Sequence, residues 1–219
     1  MILRMINLSV KPLLLFFVLS TTLFAQWEGR VSMGLNMTSS ANLRDYVNEN
    51  FASPGDYMSE INSMIEFSGE AGYLVGDNLQ LALEGAYAFN SFTNITLNGK
   101  YELNYKFISP SAIAYYMVKG NGYSFKLGGG IGPRFLVVNE IKPFIVTGLD
   151  YTSTGFGVVI KGSGSTALSK SVFAYIGADA RYDAGGTPKN NGTGIKHRGR
   201  DLSVNSLSFG LKLGISFTF

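Results

Sequence analysis

The side chains best suited to nucleophilic chemistry lie near the carboxyl end of the chain. The sequence holds one histidine, His197, and no cysteine, and Asp201 and Ser203 follow the histidine closely. A serine, a histidine and an acid form a catalytic triad only when the fold brings them into hydrogen-bond contact. Spacing does not supply that geometry, so we predict a protein that is not an enzyme. A lipid-modifying enzyme that uses these three residues stays the alternative.

The same region carries a basic cluster formed by Lys196, Arg198 and Arg200, with His197 between them. Arginine and lysine bind phosphate groups through charge-assisted hydrogen bonds. The cluster therefore predicts a contact with a phosphorylated partner. The alternative is a solvated loop, because glycine and asparagine surround the cluster.

Two further patterns could indicate a binding or catalytic site, but both are better explained by structural roles. Gly128 to Gly132 lacks the Lys-Ser/Thr that follows a phosphate-binding loop, so its glycines are expected to relieve crowding inside a strand. Glu66 and Glu70 fall on the same face of one strand and are expected to form salt bridges with lysine or arginine. With no thiolate and a single imidazole, we predict neither a metal nor a cofactor.

Residues 1–25 have the pattern of a secretory signal peptide. Arg4 and Lys11 precede a short apolar run that ends at Ala25, which is too short for a transmembrane helix of about 20 residues. Cleavage before Gln26 removes two of the 18 basic residues and none of the 15 acids, so the net charge falls from +3 to +1. An uncleaved membrane anchor is the alternative.

The remaining chain, residues 26–219, alternates apolar and polar residues with the period of two that is typical of strands. Eight such segments can be counted, at about 31–37, 65–75, 79–89, 101–117, 123–137, 156–160, 172–182 and 209–219. Long polar connections, at about 39–62, 92–100, 139–153 and 184–202, alternate with short turns, and the first could hold a helical turn. Prolines 110 and 133 predict bulges or kinks, and the alternative is that these two strands are shorter than counted. This arrangement predicts an all-β, eight-stranded antiparallel up-and-down transmembrane β-barrel.

Charged residues lie on the face of these segments opposite the apolar one, in equal numbers. We count seven acids, Glu28, Glu66, Glu70, Glu84, Glu102, Asp179 and Asp183, and seven bases, Arg30, Lys106, Lys126, Arg134, Lys161, Arg181 and Lys212. Balanced charge suits a narrow lumen, because an unpaired buried ion is costly. The lumenal network is therefore predicted to include Glu66, Glu70, Glu84, Lys106, Lys126, Arg134, Asp179, Arg181 and Lys212. A soluble, lipocalin-like barrel with an apolar interior is the alternative.

Aromatic side chains recur near both ends of the predicted strands, as in the two interfacial girdles of membrane barrels. The turn-end set is Trp27, Tyr73, Tyr115, Tyr123, Phe217 and Phe219, and the loop-end set is Tyr87, Phe89, Tyr105, Phe135, Phe156 and Tyr182. The preference of aromatic residues for strands is the competing explanation.

The carboxyl-terminal residues resemble the outer-membrane insertion signal of bacterial barrels. Lys212, Gly214, Phe217 and Phe219 match its polar residue, its glycine and its two alternating apolar positions. The chain from residue 26 onward resembles the small barrels typified by the OmpA transmembrane domain and OmpX, and also the Bacteroidota barrel-domain proteins that include PorT-type secretion components. The resemblance implies an outer-membrane location and insertion by the barrel assembly machinery.

From these features we predict a monomeric, porin-like outer-membrane protein of the Gram-negative cell envelope, with a plugged lumen and a structural or binding role through its extracellular loops. Lipopolysaccharide is the expected partner, with Lys196, Arg198 and Arg200 against its phosphates, and no nucleic acid is expected. Three alternatives stay open: a narrow channel for small solutes, a component of a secretion apparatus, and a lipid-modifying enzyme.

Overall fold

The computed structural model describes residues 27–96, 99–144 and 147–219. The predicted signal peptide and its cleavage site lie outside the described residues. Eight long strands form the barrel: β1 (Trp27–Ser39), β2 (Asn62–Val75), β3 (Leu79–Thr96), β4 (Gly99–Gly120), β5 (Tyr123–Ile141), β6 (Leu149–Ala167), β7 (Val172–Ala184) and, at the carboxyl end, β12 (Asn205–Thr218).

Every barrel strand pairs antiparallel with the barrel strands before and after it in the chain, and β1 pairs with β12 to close the sheet. Val31, for example, lies opposite Ile215 on one side and opposite Gly69 on the other. A closed sheet leaves no long edge strand unpaired. The prediction of an eight-stranded antiparallel up-and-down barrel is confirmed.

Two connections at one end of the barrel, 40–61 and 185–204, are much longer than any turn at the other end. Turns of two to four residues join the strands at 76–78, 121–122 and 168–171. At the opposite, loop end, the first connection holds helix α1 (Ala41–Asn50), as predicted. The last connection holds four two-residue strands, β8 (Lys189–Asn190), β9 (Thr193–Gly194), β10 (Lys196–His197) and β11 (Arg200–Asp201).

Helix α1 lies over the loop end of the lumen. Its residues Leu43, Tyr46 and Val47 follow the i, i+3, i+4 spacing of one helix face, and all three are buried. Asn42 Nδ2 donates to Ser203 O at 3.0 Å, which connects the helix to the last long connection. None of the helices in the described ranges has the length and hydropathy to cross a membrane.

Two loops are shorter than the sequence predicts. Strands β3 and β4 pair as far as Thr96 and Gly99, inside the region predicted as a loop at 92–100. Strands β5 and β6 likewise pair as far as Glu140 and Leu149, inside the region predicted as a loop at 139–153. Polar residues such as Asn94 continue the ladder here, because backbone hydrogen bonds do not require apolar side chains.

The face of β4 that the sequence assigns to the outer surface points into the lumen, and the face assigned to the lumen points outward. Tyr105 and Tyr115 are buried in the lumen, whereas Lys106 lies exposed on the outer surface and Glu102 is partly exposed there. Lys106 therefore does not belong to the lumenal network, and the two tyrosines do not belong to the aromatic girdles. Both faces of β4 carry large apolar residues, such as Phe107 beside Ile108, so alternation alone did not distinguish them.

The ladder between β4 and β5 is interrupted where the two prolines lie. Paired residues resume after the gap in the same register, Ile108 with Phe135 and Ala112 with Ile131, so the ladder breaks without the inserted residue of a bulge. Arg134 Nη1 donates to Pro110 O and Pro133 O, both at 3.0 Å. The guanidinium thus hydrogen bonds to carbonyl groups beside the gap.

The predicted crowding at the glycine run is present. A methyl group at Gly130 would lie 2.6 Å from both Ala112 O and Ile113 Cγ1 on the neighbouring strand. A side chain at this position would therefore push β4 and β5 apart, and the glycine lets lumenal side chains of β4 fill the space.

Candidate functional site

An ionic layer around Glu28 crosses the lumen near the turn end, where an open cavity of about 490 Å³ reaches Glu28 and Gln80. Its carboxylate pairs with Lys126 and accepts from Arg30 Nη2 at 3.0 Å. Gln80 accepts from Lys126 Nζ at 2.8 Å and donates to Glu28 Oε2 at 3.2 Å. Three strands, β1, β3 and β5, therefore meet through one hydrogen-bonded group at this level.

The next layer surrounds Glu70. Arg30 Nη1 lies 3.1 Å from Glu70 Oε1, and Lys161 Nζ lies 3.3 Å from Oε2. The hydroxyl of Tyr115 donates to the same Oε2 at 2.7 Å. The Arg30 guanidinium also lies over the ring of Tyr175, 4.2 Å from its centroid. The layer therefore combines two cations, one carboxylate and two aromatic rings.

The central layer is a network of three acids and three bases. Arg181 binds Glu66 at 3.0 Å, Glu84 at 3.1 Å and Asp179 at 3.0 Å. Lys212 Nζ bridges Glu66 at 2.5 Å and Asp179 at 2.9 Å, and Glu84 also pairs with Lys161. Each carboxylate here has two cationic partners, which compensates for the loss of hydration.

Above the central layer, Arg134 pairs with Asp183. The cavity lined by Arg181 and Asp183 below and by Phe107 above has a volume of about 10 Å³. One water molecule needs at least about that much room, so side chains occupy nearly all of the lumen at this level.

Six acids and six bases form this lumenal network, so its net charge is zero. They are Glu28, Glu66, Glu70, Glu84, Asp179 and Asp183 with Arg30, Lys126, Arg134, Lys161, Arg181 and Lys212. All nine residues predicted for the network lie in it except Lys106. Of the seven acids and seven bases predicted for the lumen, Glu102 and Lys106 lie on the outer surface. Because one is an acid and the other a base, the lumenal acids and bases stay equal in number.

An apolar plug fills the loop end of the lumen. Its buried members come from the barrel strands, from α1 and from the last connection: Leu43, Tyr46, Val47, Met58, Met64, Ala88, Tyr101, Leu103, Tyr105, Phe107, Leu136, Val138, Tyr151, Ile195, Leu202 and Val204. Phe51 stacks on the ring of Tyr101 with 4.0 Å between the centroids. The sequence did not predict this plug, because its residues are dispersed over the loops, over one or two positions in each of four other strands and over the misassigned face of β4.

One buried carboxylate, Glu140, holds the plug to the barrel wall. It accepts from the hydroxyl groups of Tyr46 on α1 at 2.8 Å and Tyr101 at 3.0 Å, and it pairs with Lys142 at 3.3 Å. Burial, followed by the nearby negative charge of Glu140, raises the pKa of the Tyr46 hydroxyl above its usual range. Glu140 fell in a predicted loop, so sequence reasoning missed it.

The basic cluster lies on the exposed rim of the loop end. Arg198 pairs through two nitrogens with Glu49 of α1, and His197 Nε2 lies 3.6 Å from the same carboxylate. Lys196 and Arg200 are exposed. Ser203 Oγ donates to Asn205 Oδ1 at 3.2 Å. These contacts give His197 and Ser203 partners outside the triad considered from sequence.

The carboxyl-terminal pattern divides between the two faces of β12. Lys212 is buried in the lumenal network, and Gly214 lies against Ser32 of β1, where a methyl group would meet the Ser32 Cα at 2.8 Å. Phe217 and Phe219 are exposed. The described residues contain no group of three or more potential metal ligands.

No protein-family model and no curated protein matches this sequence. Three solved barrels share the architecture. Neisserial surface protein A is 17% identical, covering 88% of this chain and 97% of its own, with a TM-score of 0.55. Ail of Yersinia pestis, solved with the heparin analogue sucrose octasulfate, is 14% identical, covering 88% and 99%, at 0.50. A major outer membrane protein from Thermus thermophilus is 10% identical, covering 87% and 99%, at 0.50. The chain thus has the fold of the small outer-membrane β-barrels.

Proposed function

We propose that the protein is an integral outer-membrane β-barrel whose lumen is closed to ions and whose loop end binds partners outside the cell. The outer wall carries exposed apolar side chains, such as Leu83, Leu127, Ile160 and Leu211, while the lumen carries paired charges. This is the arrangement expected when lipid surrounds the barrel.

The observation that carries the proposal is the filling of the lumen above an open cavity of about 490 Å³ at its turn-end mouth. A conducting pore needs a continuous water path, but here twelve paired ions cross the lumen in the turn-end half and the apolar plug fills the loop-end half. Eight strands leave an interior only wide enough for side chains. We therefore expect no steady ion conductance.

Two measurements test the proposal. The protein purified from outer-membrane fractions should migrate faster on a gel before boiling than after it, because a closed barrel stays compact until heated. In planar bilayers it should show no discrete conductance steps. Reproducible steps would contradict the closed lumen and favour a narrow channel, and recovery as a soluble periplasmic protein would contradict the membrane location.

For the loop-end partner we propose the phosphate groups of lipopolysaccharide. Lys196 and Arg200 support this, because they are exposed cations on the rim, whereas Arg198 pairs with Glu49. Replacing Lys196 and Arg200 with glutamine should weaken lipopolysaccharide binding, and replacing Lys119 and Lys170 at the turn end should not. Equal binding by both double variants would contradict this contact.

For insertion we propose that the barrel assembly machinery recognises the end of β12. Deletion of Phe219 should lower the amount of folded protein in the outer membrane. Phe209→Leu changes an outward aromatic residue of the same strand outside the terminal pattern and serves as the control. Equal losses in the two variants would mean that the terminal position has no special role.

A further inference from the structure

The outer surface of β4 changes from polar to apolar at a single step. Near the loop end its outward positions are Lys100, Glu102, Asn104 and Lys106, and below them the outward positions are Ile108, Pro110, Ala112, Ala114, Tyr116 and Val118. Lys106 is therefore the last outward residue before the apolar part of the strand begins.

The length of the apolar part places Lys106 relative to the bilayer. Ile108 to Val118 comprises eleven residues, and a tilted strand crosses the hydrocarbon region in about 9–11 residues. On the proposed membrane location, Lys106 then lies at the level of the lipid headgroups. A lysine stem can lie along the apolar wall while its ammonium group reaches this level.

Lys106 has apolar neighbours on both adjacent strands. It lies opposite Phe89 of β3 and opposite Val137 of β5 in the sheet register. Together with Ile65 and Asn104 these residues line an open groove of about 650 Å³ on the outer wall. The groove thus joins an apolar strip to one cation and to a polar edge of three asparagines, two serines and Asp150.

The other ions near this groove have partners within the protein. Lys100 pairs with Glu102, and Asp150 at the edge of the groove accepts from Asn139 Nδ2 at 2.7 Å. Within the described ranges, no acidic side chain lies within 4.0 Å of the Lys106 ammonium group, the limit for an ion pair. A cation between apolar side chains at headgroup depth is stabilised by an anion from outside the chain.

We propose that this groove binds a lipid of the surrounding membrane, with the lipid phosphate at the Lys106 ammonium group and an acyl chain along Ile65, Phe89 and Val137. The site rests on the proposed membrane location. It is separate from the rim cluster at Lys196 and Arg200, since it lies on the lipid-facing wall.

The test compares lipid retention by variants in nanodiscs made from a mixture of phosphatidylcholine and phosphatidylglycerol. Native mass spectrometry of the released barrels counts the phosphatidylglycerol that each retains. We expect Lys106→Gln to lower retention about five-fold, the equivalent of one basic residue near an anionic surface. Lys106→Arg should retain the lipid, and Lys100→Gln, which removes a paired cation of the same strand, should match the unaltered protein.

Two results would overturn the inference. One is equal phosphatidylglycerol retention by Lys106→Gln and the unaltered protein. The other is complete displacement of the lipid by inorganic phosphate, which would identify a site for free phosphate instead. Heat-dependent gel mobility is measured on each variant as well. If the proposed membrane barrel is wrong, the unaltered protein shows no compact folded form on the gel. If only the lipid site is wrong, the compact form is present and lipid retention alone differs from the expectation.

Discussion

The two halves of the narrow lumen contain different kinds of side chain: one half holds paired ions and the other holds apolar residues. The turn-end half contains six acids and six bases in direct contact, so its stability depends on charge being matched within the protein. The loop-end half contains apolar side chains from the wall, from α1 and from the last connection, so its stability depends on packing. The ionic half is built by the strands alone, whereas the apolar half needs the loops.

This difference shows where each half is vulnerable. Loss of one charge in the ionic half leaves its partners buried and uncompensated. Loss of volume in the apolar half leaves a cavity that nearby loops can partly close. We therefore expect the ionic half to tolerate single changes least.

The largest effect is expected from Glu66→Gln. Glu66 contacts both Arg181 and Lys212, so the change leaves two cations with less compensation and should lower the free energy of unfolding by about 3–5 kcal/mol. Urea unfolding in lipid vesicles measures it. Glu102→Gln, which removes an acid from the outer surface of β4, is the matched control and should have little effect. Similar losses in both variants would mean that the lumenal pairs are not the main source of the effect.

The second effect tests the packing of the apolar half. Leu103 is fully buried in the plug, and Leu103→Ala should cost about 2–5 kcal/mol through lost apolar contact and a cavity. The same urea unfolding applies. Ile95→Ala, at a 74% exposed position of the neighbouring strand, should change stability little. A loss from Ile95→Ala as large as that from Leu103→Ala would argue against a packed plug.

The third effect tests the attachment of α1. Tyr46→Phe removes the hydroxyl that donates to Glu140, and a hydrogen bond to a charged group contributes about 1.5–3 kcal/mol. Amide hydrogen exchange in α1 should accelerate, while exchange in β12 stays slow. Tyr57→Phe alters an exposed tyrosine of the same connection and is the control. Unchanged exchange in Tyr46→Phe would show that α1 does not depend on Glu140.

The smallest effect is a dependence of α1 attachment on alkaline pH. The folded pKa of Tyr46 is raised, so its contribution is fully present below the unfolded pKa of about 10 and is lost as the pH rises above it. At pH 11, one unit above that value, the loss is limited to about 1.4 kcal/mol. Hydrogen exchange in α1 measures it, relative to β12. Tyr46→Phe should lack this step, and an identical pH response in that variant would assign the titration to another group.

The sequence predicted the barrel better than it predicted the contents of the barrel. Alternation identified all eight strands, and it assigned most lumenal ions, including Glu66, Arg181 and Lys212, to the correct face. It failed on β4, where apolar residues occupy both faces. It also ended β3 and β5 too early, because polar side chains at the loop end resemble loop residues although the backbone ladder continues.

What the sequence determined by itself is the division of the chain into an apolar and a polar surface, because side chains of a strand alternate whatever they pack against. The acids and bases on the polar surface can be counted from the same alternating positions, and their numbers are equal. Only the tertiary structure decided which ions meet, since the pairs join different strands, as Lys161 joins Glu84. The tertiary structure also decided that Lys106 faces outward and that Tyr46 of α1 donates a hydrogen bond to Glu140. The first depends on strand register and the second on the position of a loop, and no local sequence pattern encodes either.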